Sequence, residues 1–250
     1  MGLIGENGAG KTTAIKCILG MTRPDSGTVT VLGQPMGPDG AALRQEIGVV
    51  LDECFFHDTL RPKDLSPILA PIYRGWDREL YRDCLARYGL PENKLIREFS
   101  RGMKMKLGLA VALSHKAKLL LLDEATSGLD PVARDQVVDI LLDFARQEDN
   151  AVLMSSHIVS DLEKLCDYVA FLHKGKIMLY EEKDYLLGEY GMVHCTKEQL
   201  DAIPREAILH KKVTPYSAEA LVKRSAVQPG THVSPISMED LFIYMSKEAE

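Results

Sequence analysis

The chain has 250 residues, of which 46% are hydrophobic and 26% are charged, and its formal net charge is −6. This composition and length predict one large globular domain, or one domain with an appendage. The acidic balance disfavours a surface that wraps nucleic acid. The five cysteines are scattered without a C-x-x-C pair, which favours reduced thiols over a disulfide framework or a zinc site. No apolar run approaches the ~18 residues that a membrane helix needs.

The first predicted element is a phosphate-binding loop. Residues 5–12 read Gly-Glu-Asn-Gly-Ala-Gly-Lys-Thr and fit G-x-x-x-x-G-K-[ST] at every fixed position. A short apolar strand at residues 1–4 precedes the loop and a helical pattern at residues 13–19 follows it, so backbone N–H groups should point at an anion. The Lys11 ammonium can then reach the β- and γ-phosphates, and the Thr12 hydroxyl can ligate Mg²⁺. The predicted nucleotide site comprises Gly5, Glu6, Asn7, Gly8, Ala9, Gly10, Lys11, Thr12 and Thr13.

Strand and helix patterns alternate along the next hundred residues. The β-rich segment 28–32 predicts a strand, and the apolar run 47–51 predicts a buried one. The pattern then becomes helical, with Asp77 as the cap of a helix over residues 78–88. A further helix is predicted at residues 101–113.

Two acidic residues follow the apolar strand predicted at residues 119–122. A carboxylate at the carboxyl end of a buried strand points into the crevice where ligands bind in such sheets. Asp123 is therefore placed to hold Mg²⁺ through water, and Glu124 can accept a proton from an attacking water molecule. The next helix begins at Asp130-Pro131, with aspartate as the cap and proline at the first helical position.

The remaining pattern completes the predicted fold. A strand at residues 151–155, a helix at residues 157–165 and a hairpin that turns at Lys174-Gly175 follow in order. Strands that alternate with helices predict an α/β fold in which helices flank a mostly parallel sheet. Together with the phosphate loop, this order is typical of a P-loop NTPase.

The sequence changes character after the hairpin. Four prolines break residues 190–250 into short elements, and Ser237 caps a last helix. We therefore expect an ATPase domain over residues 1–189, with a helical subdomain at about 60–115, and a small C-terminal α+β appendage over residues 190–250.

Further motifs, in their order, carry a resemblance to the ATP-binding subunits of ABC transporters. Residues 99–103, Phe-Ser-Arg-Gly-Met, resemble the signature L-S-G-G-Q, and residues 127–130, Ser-Gly-Leu-Asp, match the loop called D. Ser155-Ser156-His157 matches the switch-histidine position. Within the family, residues 73–77 and 237–242 resemble ATPases that serve ABC-2-type exporters.

The resemblance, which spans roughly residues 1–185, implies a mechanism that needs two ATPase subunits. The two subunits, identical or different, would stack head to tail with ATP and Mg²⁺ between the phosphate loop of one and the signature of the other. An ABC-2-type membrane permease subunit would convert their motion into export. Nucleic acid is not an implied partner. The chain would be cytoplasmic and peripheral, held at the inner face of the cell membrane by the permease, and no motif names the substrate.

The resemblance also implies a role for each matched residue. Thr12 and Asp123 would serve the metal. Glu124 would be the catalytic base, and His157 would sense or hold the γ-phosphate. The residues that would act across the pair of subunits are Ser100 and Gly102, which would reach the γ-phosphate of the opposite site, and Asp130, which would link the two sites.

The sequence departs from the family pattern at several positions. Arg101 stands where the family has glycine. The arginine side chain can hinder a close approach of the backbone, or it can place a cation near phosphate. Met103 replaces a glutamine, and Ala125 replaces a proline. Asp52-Glu53 fall where a glutamine usually touches Mg²⁺, and either could replace it. At most four residues precede the loop, so an adenine-stacking aromatic is missing and we expect ATP to bind roughly 5- to 150-fold more weakly.

Two other functions are compatible with these motifs. A soluble ABC ATPase that acts on ribosomes or DNA would usually carry two ATPase domains or a long coiled coil, and residues 53–99 contain no sustained heptads. A truncated, non-catalytic nucleotide-binding module would bind a partner and hydrolyse little ATP. A P-loop GTPase is disfavoured because the chain has no N-K-x-D motif.

Overall fold

A six-stranded sheet forms the centre of the molecule. The computed structural model describes residues 1–37, 40–51, 56–214, 216–228 and 230–248. In spatial order the strands of this sheet are β4 (Ile47–Val50), β5 (Leu119–Asp123), β6 (Ala151–Ser156), β1 (Gly2–Gly5), β7 (Tyr168–His173) and β8 (Lys176–Glu182). Strand β1 pairs in parallel with both β6 and β7, whereas β8 pairs antiparallel with β7. The predicted mostly parallel sheet is thus confirmed.

Both faces of the sheet are buried at its interior strand β5. Leu120, Leu121 and Leu122 of β5 are each 0% exposed, and alternate residues belong to different apolar clusters. The helices that flank the sheet are α1 (Lys11–Ile18), the short α2 (Ala41–Arg44), α6 (Pro131–Ala145) and α7 (Val159–Leu165). A continuous run of apolar residues is what a strand covered on both faces requires.

Two predicted elements begin or end at least two residues away from their predicted bounds. The strand predicted at residues 28–32 shrinks to β2 (Thr30–Val31), which pairs with β3 (Gln34–Pro35), because Leu32 and Gly33 adopt φ values of 49° and 74° and turn the chain. The helix predicted from residue 157 begins two residues later at α7, because β6 continues to Ser156.

A helical subdomain contains α3 (Pro62–Leu69), α4 (Arg78–Arg87) and α5 (Arg101–Ser114). The Asp77 carboxylate accepts hydrogen bonds from the backbone N–H groups of Glu79 and Leu80, which confirms the predicted cap. This helix ends at Arg87, one residue earlier than predicted. Helix α5 contributes Leu107 to the core of the subdomain and Leu109 to the core under the sheet, so it joins the two parts.

The C-terminal part carries a second sheet. Its strands are antiparallel in the order β10 (Ile208–Val213), β11 (Ala218–Lys223) and β9 (Tyr190–Cys195), and its helices are α8 (Lys183–Glu189), α9 (Lys197–Asp201) and α10 (Met238–Glu248). Ala220 packs in a cluster that belongs to this sheet, but Leu221 and Leu241 join the main core. The predicted division at residue 189 therefore stays a prediction. Among the residues that the structure describes, every helix is too short or too polar to span a lipid bilayer.

Candidate nucleotide-binding site

The phosphate loop connects the end of β1 to the start of α1. Gly10 is the N-cap of α1 and has φ 109°, a left-handed backbone conformation that residues other than glycine rarely adopt. The loop is closed by a hydrogen bond from the Ala9 N–H to the Glu6 carbonyl (3.1 Å). The free N–H groups at the start of α1 thus face the loop, as anion binding requires.

The Lys11 ammonium lies at the centre of the loop. Its Nζ donates to the Gly5 carbonyl at 2.7 Å and to the Glu6 carbonyl at 3.2 Å. The same Nζ lies 3.0 Å from Oε1 of Glu124. Lys11 is 5% exposed, so this cation is held between the loop and the acidic end of β5 with little access to water.

Thr12 and Asp123 bring two hard oxygen donors together. The Thr12 hydroxyl donates to Oδ2 of Asp123 at 2.6 Å, and the Ser155 hydroxyl donates to Oδ1 at 2.5 Å. Hydroxyl and carboxylate oxygens are ligands that Mg²⁺ prefers, so these residues fit the metal that the resemblance implies. In the described part of the chain, no three His, Cys, Asp or Glu residues are arranged to hold a metal. Mg²⁺ would therefore take its other ligands from water and phosphate, as is usual for this ion.

The Glu124 carboxylate bridges two cationic or ionisable groups. Its Oε2 lies 2.6 Å from Nδ1 of His157, while its Oε1 faces Lys11. The backbone N–H of Glu124 donates to the carbonyl of Ser155 (3.1 Å). Glu124 has φ 53°, and such a conformation in a residue with a side chain is typical of functional sites. The structure thus brings together the four residues Lys11, Asp123, Glu124 and His157 that the sequence singled out.

The residues expected to act across the pair of subunits lie elsewhere. The Ser100 hydroxyl accepts a hydrogen bond from the Met103 N–H and caps α5 (3.2 Å), and the Asp130 carboxylate caps α6. Gly102 is buried, and a Cβ on it would lie 2.7 Å from the Cβ of Ala133. Within the described residues, no hydrogen bond or ion pair joins these three to the phosphate loop. Their role toward an opposite nucleotide stays a prediction.

The departures from the family pattern have structural counterparts. The guanidinium of Arg101 lies over Gly128, where an added Cβ would be 3.0 Å from Nη1. Arg101 therefore contacts the 127–130 loop from the start of α5. Ala125 is 0% exposed and belongs to the main core. Asp52 and Glu53 lie outside the described residues.

Two residues that support the site were missed by the sequence analysis. Ser155 orients Asp123, which it faces directly in the register between β5 and β6. His173, at the end of β7, places Nδ1 2.9 Å from Oε1 of Glu6 in the phosphate loop. Both contacts depend on which strands are neighbours and on their register. The periodicity of the sequence predicts neither the order of the strands nor their register.

Known proteins resemble this chain in both sequence and fold. Residues 1–127 match the family model described as ABC transporter. The bacitracin transport ATP-binding protein BcrA of Bacillus licheniformis is 35% identical over 179 residues, or 71% of this chain. The chain spans 58% of the length of BcrA. An uncharacterized ABC transporter ATP-binding protein, YhcH of Bacillus subtilis (strain 168), is 30% identical over 266 residues, and the match covers 100% of this chain and 87% of YhcH. A solved ATP binding subunit of an ABC transporter matches with a TM-score of 0.65 at 26% identity, over 74% of this chain and 79% of that one.

Proposed function

The chain belongs to the ABC transporter family, and from this premise we propose that it binds and hydrolyses ATP to power a transporter. One observation carries the proposal: the Glu124 carboxylate lies between the Lys11 ammonium and the His157 ring, at the end of a phosphate-binding loop. Glu124 thus contacts a cation on one side and an imidazole ring on the other. Such a set suits water-driven phosphoryl transfer, in which positioning and charge stabilisation dominate.

The phosphate loop would hold the triphosphate. The backbone N–H groups of residues 8–12 and the N-terminus of α1 favour an anion, and Lys11 adds a full positive charge. Lys11 is already paired with Glu124, so phosphate oxygens would replace the carboxylate at Nζ. This exchange would release the Glu124 side chain toward the position of the attacking water.

Thr12 and Asp123 would hold Mg²⁺, which when bound supplies charge neutralisation at the β- and γ-phosphates. Asp123 is fixed by Ser155, so its carboxylate needs no reorientation to act. The Thr12 hydroxyl gives its hydrogen bond to the carboxylate and leaves its lone pairs for the metal.

Glu124 would accept the proton of the attacking water, and His157 would hold the carboxylate in place. Oε2 of Glu124 contacts the His157 ring, and Oε1 lies 3.0 Å from the Lys11 ammonium, so the carboxylate is held in one orientation, as a general base requires. The Nδ1 of His157 is taken by Glu124, which leaves Nε2 for the γ-phosphate.

The transporter assignment extends to partners. We infer a second ATPase subunit, because Ser100 and Gly102 lie away from the phosphate loop of their own chain. We also infer a membrane permease of the ABC-2 type that uses the energy for export, which would hold the chain at the cytoplasmic face of the membrane. The similarity to BcrA, a bacitracin transport ATP-binding protein, supports a role in transport.

A phosphate-release assay tests the catalytic part of the proposal. We expect Glu124→Gln to lower ATP turnover about 10²- to 10⁴-fold, because the amide cannot accept the proton, while ATP binding is kept. Glu79→Gln, an exposed glutamate on α4, is the matched control and should leave turnover unchanged. Full phosphate release by the Glu124→Gln chain would remove Glu124 from the role of base.

The same assay separates a motor subunit from a non-catalytic module. The purified chain is measured with and without membrane vesicles that contain a candidate permease. A motor subunit hydrolyses ATP in a Lys11-dependent manner and is stimulated by its permease. Absence of Lys11-dependent hydrolysis in both conditions would favour the non-catalytic module.

A further inference from the structure

A small cavity in the helical subdomain is lined by three basic side chains. It has a volume of about 180 Å³ and lies between α3, α4 and the segment that carries Glu92. Lys63 and Ser66 line it from α3, and Arg78 and Arg82 line it from α4. This group of Lys63, Ser66, Arg78 and Arg82 is called the basic pocket below. It is separate from the phosphate loop and contains none of the residues assigned to nucleotide.

The three cations of the basic pocket form no ion pair with any residue that the structure describes. Among the described residues, no carboxylate oxygen lies within 4.0 Å of the charged nitrogens of Lys63, Arg78 or Arg82. Of the acidic residues near them in sequence, Asp64 accepts from the N–H of Arg61 and Asp77 caps α4. In the described part of the chain, Glu79 and Asp83, which adjoin Arg78 and Arg82, form no ion pair with them. Glu92 lines the cavity without contacting the cations at ion-pair distance.

The positions of these cations are unfavourable for the helices that carry them. Arg78 is the first residue of α4, where the positive end of the helix dipole repels a cation. Arg78 and Arg82 are four residues apart, so their like charges face each other across one turn. Lys63 lies in the first turn of α3. A bound anion would relieve all of these repulsions at once.

The pocket also contains one neutral hydrogen-bond donor and a wall formed by a buried aromatic side chain. The Ser66 hydroxyl accepts from Nε1 of Trp76 at 3.0 Å, so its own proton is free to point into the cavity. Tyr81, 1% exposed, forms part of the wall and donates its hydroxyl to the Pro62 carbonyl at 2.9 Å. Two guanidinium groups, one ammonium and one hydroxyl are the donor set that a phosphate group requires.

The net charge of the surrounding segment also favours an anionic ligand. Residues 56–106 contain eleven Lys or Arg and seven Asp or Glu, a net of +4, whereas the whole chain carries −6. Anions are therefore drawn to this part of the molecule against the field of the rest. We propose that the basic pocket binds a phosphate group, carried either by an anionic lipid at a membrane surface or by a soluble phosphorylated compound. This inference does not depend on the proposed ATPase activity.

The experiment compares two double variants that remove the same charge. Arg78→Gln/Arg82→Gln empties the pocket of its arginines, and Arg74→Gln/Arg97→Gln removes two exposed arginines that do not line it. Flotation of the full chain with vesicles of phosphatidylcholine alone, or with added phosphatidylglycerol, tests the lipid source. Titration with inorganic phosphate, followed by ³¹P line broadening in a Lys11→Ala background, tests the soluble source without interference from the phosphate loop.

We expect the pocket variant to bind at least one of these two probes about tenfold more weakly than the parent chain, and the control variant to change by less than about twofold. Loss confined to phosphatidylglycerol vesicles supports a lipid headgroup, and loss confined to inorganic phosphate supports a soluble ligand. Equal losses in both double variants would overturn the pocket in favour of general charge attraction. A parent chain that binds neither probe would also overturn it. Unchanged melting temperatures of the variants establish that they are folded.

Discussion

Single residues of this chain were predictable where their role is local. Asp77, Asp130 and Ser237 cap the helices that follow them, as their positions in the sequence predicted. A cap is decided by its own next three residues, so no knowledge of the fold is needed. Ser155 and His173 contact residues more than thirty positions away, so no local pattern predicts these contacts.

Gly102 illustrates a residue whose importance comes from packing. A Cβ at this position would lie 2.7 Å from the Cβ of Ala133 on α6, and neither atom can rotate away. We expect Gly102→Ala to lower the free energy of unfolding by about 1–3 kcal/mol. Denaturant unfolding measures this change.

Gly188 provides the control for Gly102, since it also lies in a helix but has no atom within 4 Å of an added Cβ. Gly188→Ala should raise the free energy of unfolding by up to about 1 kcal/mol, because alanine favours a helix. Ala133→Gly should restore part of the loss caused by Gly102→Ala. Equal behaviour of the two glycine variants would contradict the packing explanation.

At the scale of elements, a joint between α5, α2 and the 70–77 loop holds the helical subdomain against the sheet. His115, 4% exposed, stacks on Tyr73 with ring centroids 4.2 Å apart, and its Nδ1 lies 3.1 Å from the carbonyl of Gln45. Gln45 in turn accepts from the N–H of Arg74. Residues 73–77 were noted in the sequence as a family marker, but their partners could not be, because the three segments meet only in the folded chain.

This joint predicts a pH dependence of stability. Burial lowers the pKa of His115 from its ordinary value of 6.5. The unfolded chain therefore binds a proton at His115 more readily than the folded chain, so stability falls as the pH is lowered through 6.5 toward the depressed pKa. His115→Phe keeps a ring for Tyr73 and should flatten this slope in unfolding experiments between pH 7 and 5. His232→Gln, at an exposed histidine, should leave the slope as it is, and an unchanged slope in the His115→Phe chain would refute the assignment.

At the scale of the whole molecule, the C-terminal segment contributes residues to the main core. Helix α10 packs on α7 and β10, and Oε1 of Glu163 on α7 accepts from the N–H of Met238 at 2.8 Å. Leu241 is 0% exposed within the main core. Composition shifts and prolines predict a small C-terminal appendage, but they carry no information about the packing of its last helix on α7.

Two leucine variants test this attachment. Leu241→Ala should lower the free energy of unfolding by about 2–5 kcal/mol and speed amide hydrogen exchange in β5 and β6. Leu200→Ala, in the cluster of the second sheet, should speed exchange chiefly in β9 and β11. If Leu241→Ala left β5 and β6 as protected as before, residues 190–250 would form an independent unit.

The contact between Glu124 and Lys11 implies that the Glu124 carboxylate would compete with a bound phosphate for the Lys11 ammonium. If triphosphate binds at Lys11 as proposed, its phosphate oxygens meet an ammonium that already lies 3.0 Å from Oε1 of Glu124, so the affinity for triphosphate would report a difference between two anions. Glu124→Gln should therefore bind nucleotide at least as tightly as the parent chain, although its turnover is lower. The same competition would favour rapid product release, because the Glu124 carboxylate can pair with the Lys11 ammonium again as the phosphate leaves.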